Sequence, residues 1–169
     1  MSNYSILVVD DEPDNFDVIE GLLYGKDYAL HYANCGRDAI NALNTLNPDL
    51  ILLDVMMPEM DGLEVCQQIK AMPEWQTIPI IMVTALAQTT DLARCLSTGA
   101  DDFIGKPVNS IELRARVQSM LRIKTLHDTV EALAAERAEW NQTLERRVAE
   151  QAGQLEQLAQ GAAQLHLEH

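Results

Sequence analysis

The sequence predicts an α/β fold, a doubly wound sheet of five parallel strands followed by a long C-terminal coiled-coil helix. Three observations carry that reading. Short apolar runs alternate with segments of helical period, and parallel neighbours need crossover connections of that kind. The run Leu50-Ile51-Leu52-Leu53 has no polar face, the pattern of a strand covered on both sides. From Ser110 onward Gly and Pro disappear until Gly153 while Leu, Ala, Glu, Arg and Gln accumulate, so the chain there is one long helix or two joined end to end.

Ile6-Leu7-Val8-Val9 is rich in β-branched residues and reads as the first strand, ended by Asp10-Asp11-Glu12. Pro13 suits the first turn of a helix, and Phe16, Ile19, Leu22 and Leu23 recur at helical spacing up to Tyr24, where Gly25 closes it. A short second strand follows at about Tyr28 to Tyr32. Gly36 to Leu46 carries Ala39, Ile40 and Leu43 on one face, and Asn47-Pro48 ends that helix and releases the central strand. Beyond Asp54, Pro58 and Asp61-Gly62 supply the turn chemistry of a functional loop. A third helix runs from about Leu63 to Met72. Pro73 and Pro79 bracket a loop before the fourth strand, Ile80-Ile81-Met82-Val83, which ends at Thr84. A fourth helix, about Gln88 to Ser97, ends near Gly99, and the short strand Asp102-Phe103-Ile104 leads to Gly105-Lys106-Pro107. Ile111, Leu113, Val117, Met120 and Leu121 would then pack a fifth helix on the sheet.

With 169 residues there is room for one ordinary domain and an appendage, read as a first domain over 1–122 and a coiled-coil helix over 123–166 that dimerises or links to an output domain. Residues 167–169, Leu167-Glu168-His169, resemble the start of a purification tag. The net charge of -14 argues against nucleic acid and against docking on anionic membrane lipid, and favours metal cations as ligands. Cys35, Cys66 and Cys95 lack metal-ligand spacing and are an odd number, which predicts buried reduced thiols. No basic N-terminal region or long apolar segment is visible, so a cytoplasmic protein without a membrane span is expected.

Within the C-terminal helix, apolar residues fall at Leu126, Val130, Leu133, Trp140 and Leu144, then at Val148, Leu155, Leu158, Ala162 and Leu165. The steps are threes and fours, the signature of a coiled-coil seam, with Arg137 and Gln151 at seam positions. Consecutive fours from Trp140 to Leu144 to Val148 form a stutter that locally unwinds the supercoil. A seam this long needs a partner, and a parallel homodimer is the simplest one.

Chemistry gathers at the strand ends. The first, third, fourth and fifth strands deliver Asp10 with Asp11, then Asp54, Thr84 and Lys106. In open parallel sheets the carboxyl ends of strands are where ligands bind. Converging carboxylates repel one another unless a divalent cation or a lysine offsets them, and Mg²⁺ takes oxygen ligands of this type while completing its shell with phosphate oxygens. Lys106 as a point charge and Thr84 as a donor suit an incoming phosphoryl group, for which Asp54 is the nucleophile. Taken singly, Asp54 also reads as a turn cap, Thr84 as a helix N-cap, Phe103 as core and Lys106 as surface.

The chain resembles the receiver domain of two-component response regulators from about Asn3 to Arg122. The resemblance rests on Val9-Asp10-Asp11-Glu12-Pro13, Asp54-Val55-Met56-Met57-Pro58-Glu59-Met60-Asp61-Gly62, Val83-Thr84-Ala85, Gly99-Ala100-Asp101-Asp102-Phe103 and Gly105-Lys106-Pro107. It implies the flavodoxin-like receiver fold, with Asp54 as phosphoacceptor for a histidine kinase or phosphotransfer protein. It also implies Mg²⁺ on Asp11, Asp54 and the backbone carbonyl of Met56, with Asp10 joining through water. Thr84 and Lys106 would bind phosphoryl oxygens, Thr84 and Phe103 would form the switch, and the Lys106-Pro107 bond would be cis.

Two other readings compete. A Mg²⁺-dependent phosphohydrolase of the haloacid-dehalogenase type needs a second acid two residues after its nucleophile, where this chain has Met56. A degenerate receiver serving only as a dimer scaffold conflicts with the intact acidic set. Leu144-Glu145-Arg146-Arg147-Val148-Ala149-Glu150 looks like signalling linkers that precede nucleotide-cyclase or other output domains. In the receiver family, polar side chains at the positions of Met56 and Leu86 tune dephosphorylation, so two bulky apolar residues there imply a long-lived phosphorylated state.

Overall fold

The computed structural model describes residues 3–85 and 89–167 of the chain. The elements in order are β1 (Tyr4–Val9), α1 (Pro13–Leu22), β2 (Tyr28–Ala33), α2 (Gly36–Leu46), β3 (Leu50–Asp54), α3 (Gly62–Ala71), β4 (Ile80–Thr84), α4 (Thr89–Ser97), β5 (Asp102–Gly105) and α5 (Ser110–Leu167). The five strands form one parallel sheet in the order β2-β1-β3-β4-β5. The predicted class and the alternation of elements are both present.

Strand side chains alternate between two faces, and each face has its own core. Leu7, Val9, Ile51, Leu53, Ile80 and Met82 pack against Ala39 and Leu43 of α2, Val65, Cys66 and Ile69 of α3, and Cys95 of α4. Ile6, Val8, Leu50, Leu52, Ile81 and Val83 pack on the other side against Ile19 and Leu23, and against Leu113, Val117 and Leu121 of α5. All of β3 is buried, which is why its sequence shows no polar alternation. Each such leucine or isoleucine removed from water stabilises the fold by roughly 1.5–3 kcal/mol.

Parallel register brings the strand ends level. Val9 pairs with Leu53, Asp54 with Val83, and Thr84 with Gly105. The chain passes from β1 to β2 on one side and then crosses to β3 on the other, so winding reverses between β1 and β3. Ligands in open α/β sheets bind at such a point.

Several boundaries differ from the sequence reading. Helix α1 stops at Leu22 rather than Tyr24, because the Tyr24 N–H turns back to the Gly21 carbonyl at 3.3 Å, and Gly25 at φ +83° redirects the chain. Ile111 does not pack on the sheet: it is 79% exposed, two residues before buried Leu113 and hence about 200° around the helix from it. Cys66 and Cys95 are buried as expected, but Cys35 is only half-buried, and all three are free thiols. Gln88 and Leu86 lie outside the described residues, as do Glu168 and His169.

Two compact units emerge from the contacts, Met1–Leu126 and His127–His169. In the second unit the described chain is a single helix, part of the unbroken α5, with both Gly153 and Gly161 inside it. No described helix is long and apolar enough to cross a membrane.

Candidate functional site at the strand ends

Asp10 leaves β1 at the reversal point, where its N–H still bonds to the Ala33 carbonyl at 3.2 Å. The residue is 2% exposed, and its carboxylate accepts from the Glu12 N–H at 2.9 Å and from the Asn15 amide, whose Nδ2 lies 3.1 Å from both oxygens. The Tyr32 hydroxyl donates to the Asp10 carbonyl at 2.7 Å. Asp54 ends β3, is buried, and accepts weakly from the Met56 N–H at 3.4 Å, so the following loop folds back over it. Asp11 is half-buried beside them, and one oxygen from each of Asp10, Asp11 and Asp54 lies within 4.8 Å of the others.

Lys106 comes from the end of β5, where its N–H donates to the Thr84 carbonyl at 2.8 Å and prolongs the ladder. Its ammonium lies 3.3 Å from Asp10 Oδ2 and 3.4 Å from Asp54 Oδ1. Burial disfavours the Lys106 charge, yet Asp54 and Asp10 outweigh that and raise its pKa. Burial also raises the pKa of Asp54, and the Asp10 charge adds to the rise; Lys106 and the Met56 N–H only partly oppose it. The two shifts differ in their leading cause, burial for Asp54 and the paired carboxylates for Lys106, and with Asp11 beside the pair the cluster keeps an excess of negative charge. An all-oxygen set of this span and excess negative charge fits a hard divalent cation.

The loop after β3 is pinned by backbone contacts. Gly62 N–H donates to the Val55 carbonyl at 2.9 Å, and a side chain on Gly62 would collide with the Asp54 carbonyl. Asp61 caps α3 by accepting the Glu64 N–H at 2.9 Å. Met56 itself is 62% exposed at this rim.

Thr84 is 1% exposed at the end of β4, level with Gly105. It is not an N-cap, because it lies inside the β4 ladder, paired with Gly105. Phe103 is half-buried against the α2–α4 core, and the Arg116 guanidinium stands 5.9 Å from its ring centroid. Arg116 is held there by two 2.8 Å bonds to Asp102 and one of 3.0 Å to Glu112. The Lys106-Pro107 bond is cis. Thus Asp10, Asp11, Asp54 and Lys106 converge, and Thr84 ends the strand between those of Asp54 and Lys106. Phe103 sits two residue pairs further back along the β4–β5 ladder, opposite Met82. Sequence reasoning missed Asn15, Tyr32 and Arg116; for Asn15 the only signal was an amide in the first turn of a helix directly after the acidic pair.

Known proteins resemble this chain in sequence and in fold. The family model described as response regulator receiver domain matches residues 6–118. The response regulator PleD of Caulobacter vibrioides is 42% identical over 123 residues, 73% of this chain and 27% of PleD. The DNA-binding response regulator MtrA of Mycolicibacterium smegmatis is 40% identical over 117 residues, 69% of this chain and 50% of MtrA. The chain therefore spans about a quarter to a half of the length of these curated relatives. Among solved structures, the receiver domain of a signal transduction histidine kinase from Syntrophus aciditrophicus matches with TM-score 0.66 and 39% identity, over 70% of this chain and 90% of that one. A second, from a sensor histidine kinase of Pseudomonas aeruginosa, was solved with a magnesium ion coordinated in its active site cleft; it matches with TM-score 0.65 and 32% identity, over 71% of this chain and 98% of that one. By its fold, the acidic reversal point with its lysine, and these matches, the chain belongs to the response regulator receiver domain family of two-component signalling, whose receivers are phosphorylated on an aspartate.

Proposed function

We propose that Asp54 is the aspartate that accepts the phosphoryl group, from a histidine kinase or a phosphotransfer protein, and that the C-terminal helix transmits the change. The observation that carries this is the Lys106 ammonium bridging Asp10 and Asp54 at 3.3 and 3.4 Å beside Asp11. An Asp54 oxygen attacks the phosphorus, the phosphorus–nitrogen bond of the donor phosphohistidine breaks, and the imidazole leaves and takes up a proton. Lys106 and the Thr84 hydroxyl hold phosphoryl oxygens, and burial excludes competing water.

Asp10, Asp11, Asp54 and the Met56 carbonyl would hold Mg²⁺, whose bound charge supplies electrostatic stabilisation of the transferring group. Thr84 and Phe103 form the switch, with Phe103 poised beside Thr84's strand. The receiver occupies 1–122, and the helix over 123–166 joins two copies through its seam. That this helix hands the signal to an output domain, an enzyme such as a nucleotide cyclase included, is supported by the greater length of the curated relatives.

Incubation with acetyl phosphate and Mg²⁺, followed by intact mass, should add one phosphoryl group to the parent and none to Asp54→Asn. Equal labelling of Asp54→Asn would refute the assignment. Light scattering should show a dimer for the parent and a mainly monomeric species for the chain cut after Arg122.

A further inference from the structure

Beyond His127 the helix presents Val130 (65% exposed), Leu133 (60%), Trp140 (60%) and Leu144 (40%) along one face, with Arg137 among them. Arg137 is the one charged residue at these seam positions. Covering it with apolar side chains alone would desolvate a guanidinium without compensation. Whatever covers this face must bring a carboxylate to that point.

Glu136 stands next to it, on the flank of the seam. Neither the Glu136 nor the Arg137 side chain makes an ion pair or hydrogen bond among the described residues. Leu133, Glu136, Arg137 and Trp140 line a depression of about 420 Å³ that Glu139 and Thr143 extend away from the seam on the Glu136 side. In knobs-into-holes packing, four residues at these spacings make the hole that receives one side chain of the facing helix.

We infer that this hole is filled by Arg137 of a second copy, and that the reciprocal Arg137–Glu136 pairs set the two seams parallel and in register. The inference rests on the dimer reading above and specifies its geometry. The stem of the incoming arginine lies on Leu133 and Trp140 while its guanidinium meets Glu136, and two-fold symmetry makes the pair twice. An antiparallel pairing of the same seam, Val130 against Leu165, instead sets Arg137 opposite Leu158. The nearest acid to Leu158 is Glu156, two residues away and about 200° around the helix on its outer side, and no Asp or Glu occurs from Gln157 to Leu167, so both arginines would go uncompensated. Charge complementarity therefore selects the parallel arrangement.

The test uses the full chain in two variants, Arg137→Glu and Glu136→Arg, one carrying a mass tag. Alone, each puts like charges together in a parallel dimer and should dimerise about tenfold more weakly than the parent. Mixed, they restore both opposite-charge pairs. Native mass spectrometry at low salt should find roughly three quarters or more of the dimers mixed, against one half by chance, from pair energies of about 0.2–1 kcal/mol each. The excess should shrink as salt is raised. In an antiparallel dimer the substituted positions of the two chains lie about 30 Å apart, and the mixture stays statistical. A dimeric parent with a statistical mixture overturns the register inference and leaves the dimer standing. A parent that is monomeric at tens of micromolar overturns both.

Discussion

The carbonyl oxygen of Asp54 fills the space that a β-carbon on Gly62 would need. The start of α3 is thereby seated directly on the end of β3, with the Gly62 N–H bonded to the Val55 carbonyl. The acidic residue and the helix that follows it are one rigid joint, and the position of the Asp54 carboxylate depends on it.

Gly62→Ala should consequently destabilise the receiver, because the added atom meets backbone and not a side chain that can swing away. Overpacking of this kind costs about 1–3 kcal/mol, read as a lower urea midpoint. Gly153→Ala is the comparison: a β-carbon there meets nothing within 4 Å, and alanine in a helix interior gains about 0.5–1 kcal/mol over glycine. Equal stability of Gly62→Ala and the parent would mean that the joint yields easily and does not fix Asp54.

Titration of Asp54 should leave a signature in stability. Burial, and then the Asp10 charge, raise its folded pKa above the unfolded value. A carboxyl shifted that way takes up a proton on folding between the two values, so stability falls as pH rises across that window and returns as pH falls. Asp54→Asn removes the charge and should therefore be more stable than the parent at pH 7. The gain should fade as the pH drops below the ordinary carboxylate range, near about 4. Added Mg²⁺ should also shrink it, by offsetting the same charge in the parent. A variant less stable than the parent at pH 7 would show that the Lys106 ion pair outweighs burial.

Much of this was legible because it is periodic or local. The strands declared themselves by apolar runs, and Asp10, Asp54, Thr84 and Lys106 each sit at the end of one, so parallel register alone brings them level. What stayed hidden depends on angle or on tertiary distance. Ile111 has the same hydrophobicity as Leu113, and only the 100° step per residue separates an exposed position from a buried one. Arg116 reads as a solvated helix residue until β5 places Asp102 2.8 Å away and Phe103 beneath it. Tyr32 looks like an edge-strand aromatic, and nothing in its neighbourhood along the chain announces that its hydroxyl reaches the Asp10 carbonyl.

The lifetime of the phosphorylated state turns on Met56. Its N–H reaches the Asp54 carboxylate at 3.4 Å, while the residue as a whole is 62% exposed at the rim of the site. Hydrolysis needs a water aligned in line with the leaving carboxylate, and a polar side chain near the phosphoryl group can hold one there. A thioether cannot donate a hydrogen bond and accepts only weakly, so water at this position is left unoriented. One positioning interaction is worth about 1.4–3 kcal/mol in the transition state, or roughly 10- to 150-fold in rate. Exposure of the side chain means that substitution there should leave the fold within about 0.5 kcal/mol of the parent, so a change in rate reports on the chemistry. Met56→Asn should shorten the lifetime of the phosphoprotein at least about tenfold once donor is removed, followed by intact mass against time. Loss of phosphate from the parent within seconds, or an equally slow Met56→Asn, would show that water positioning at this residue does not limit the lifetime.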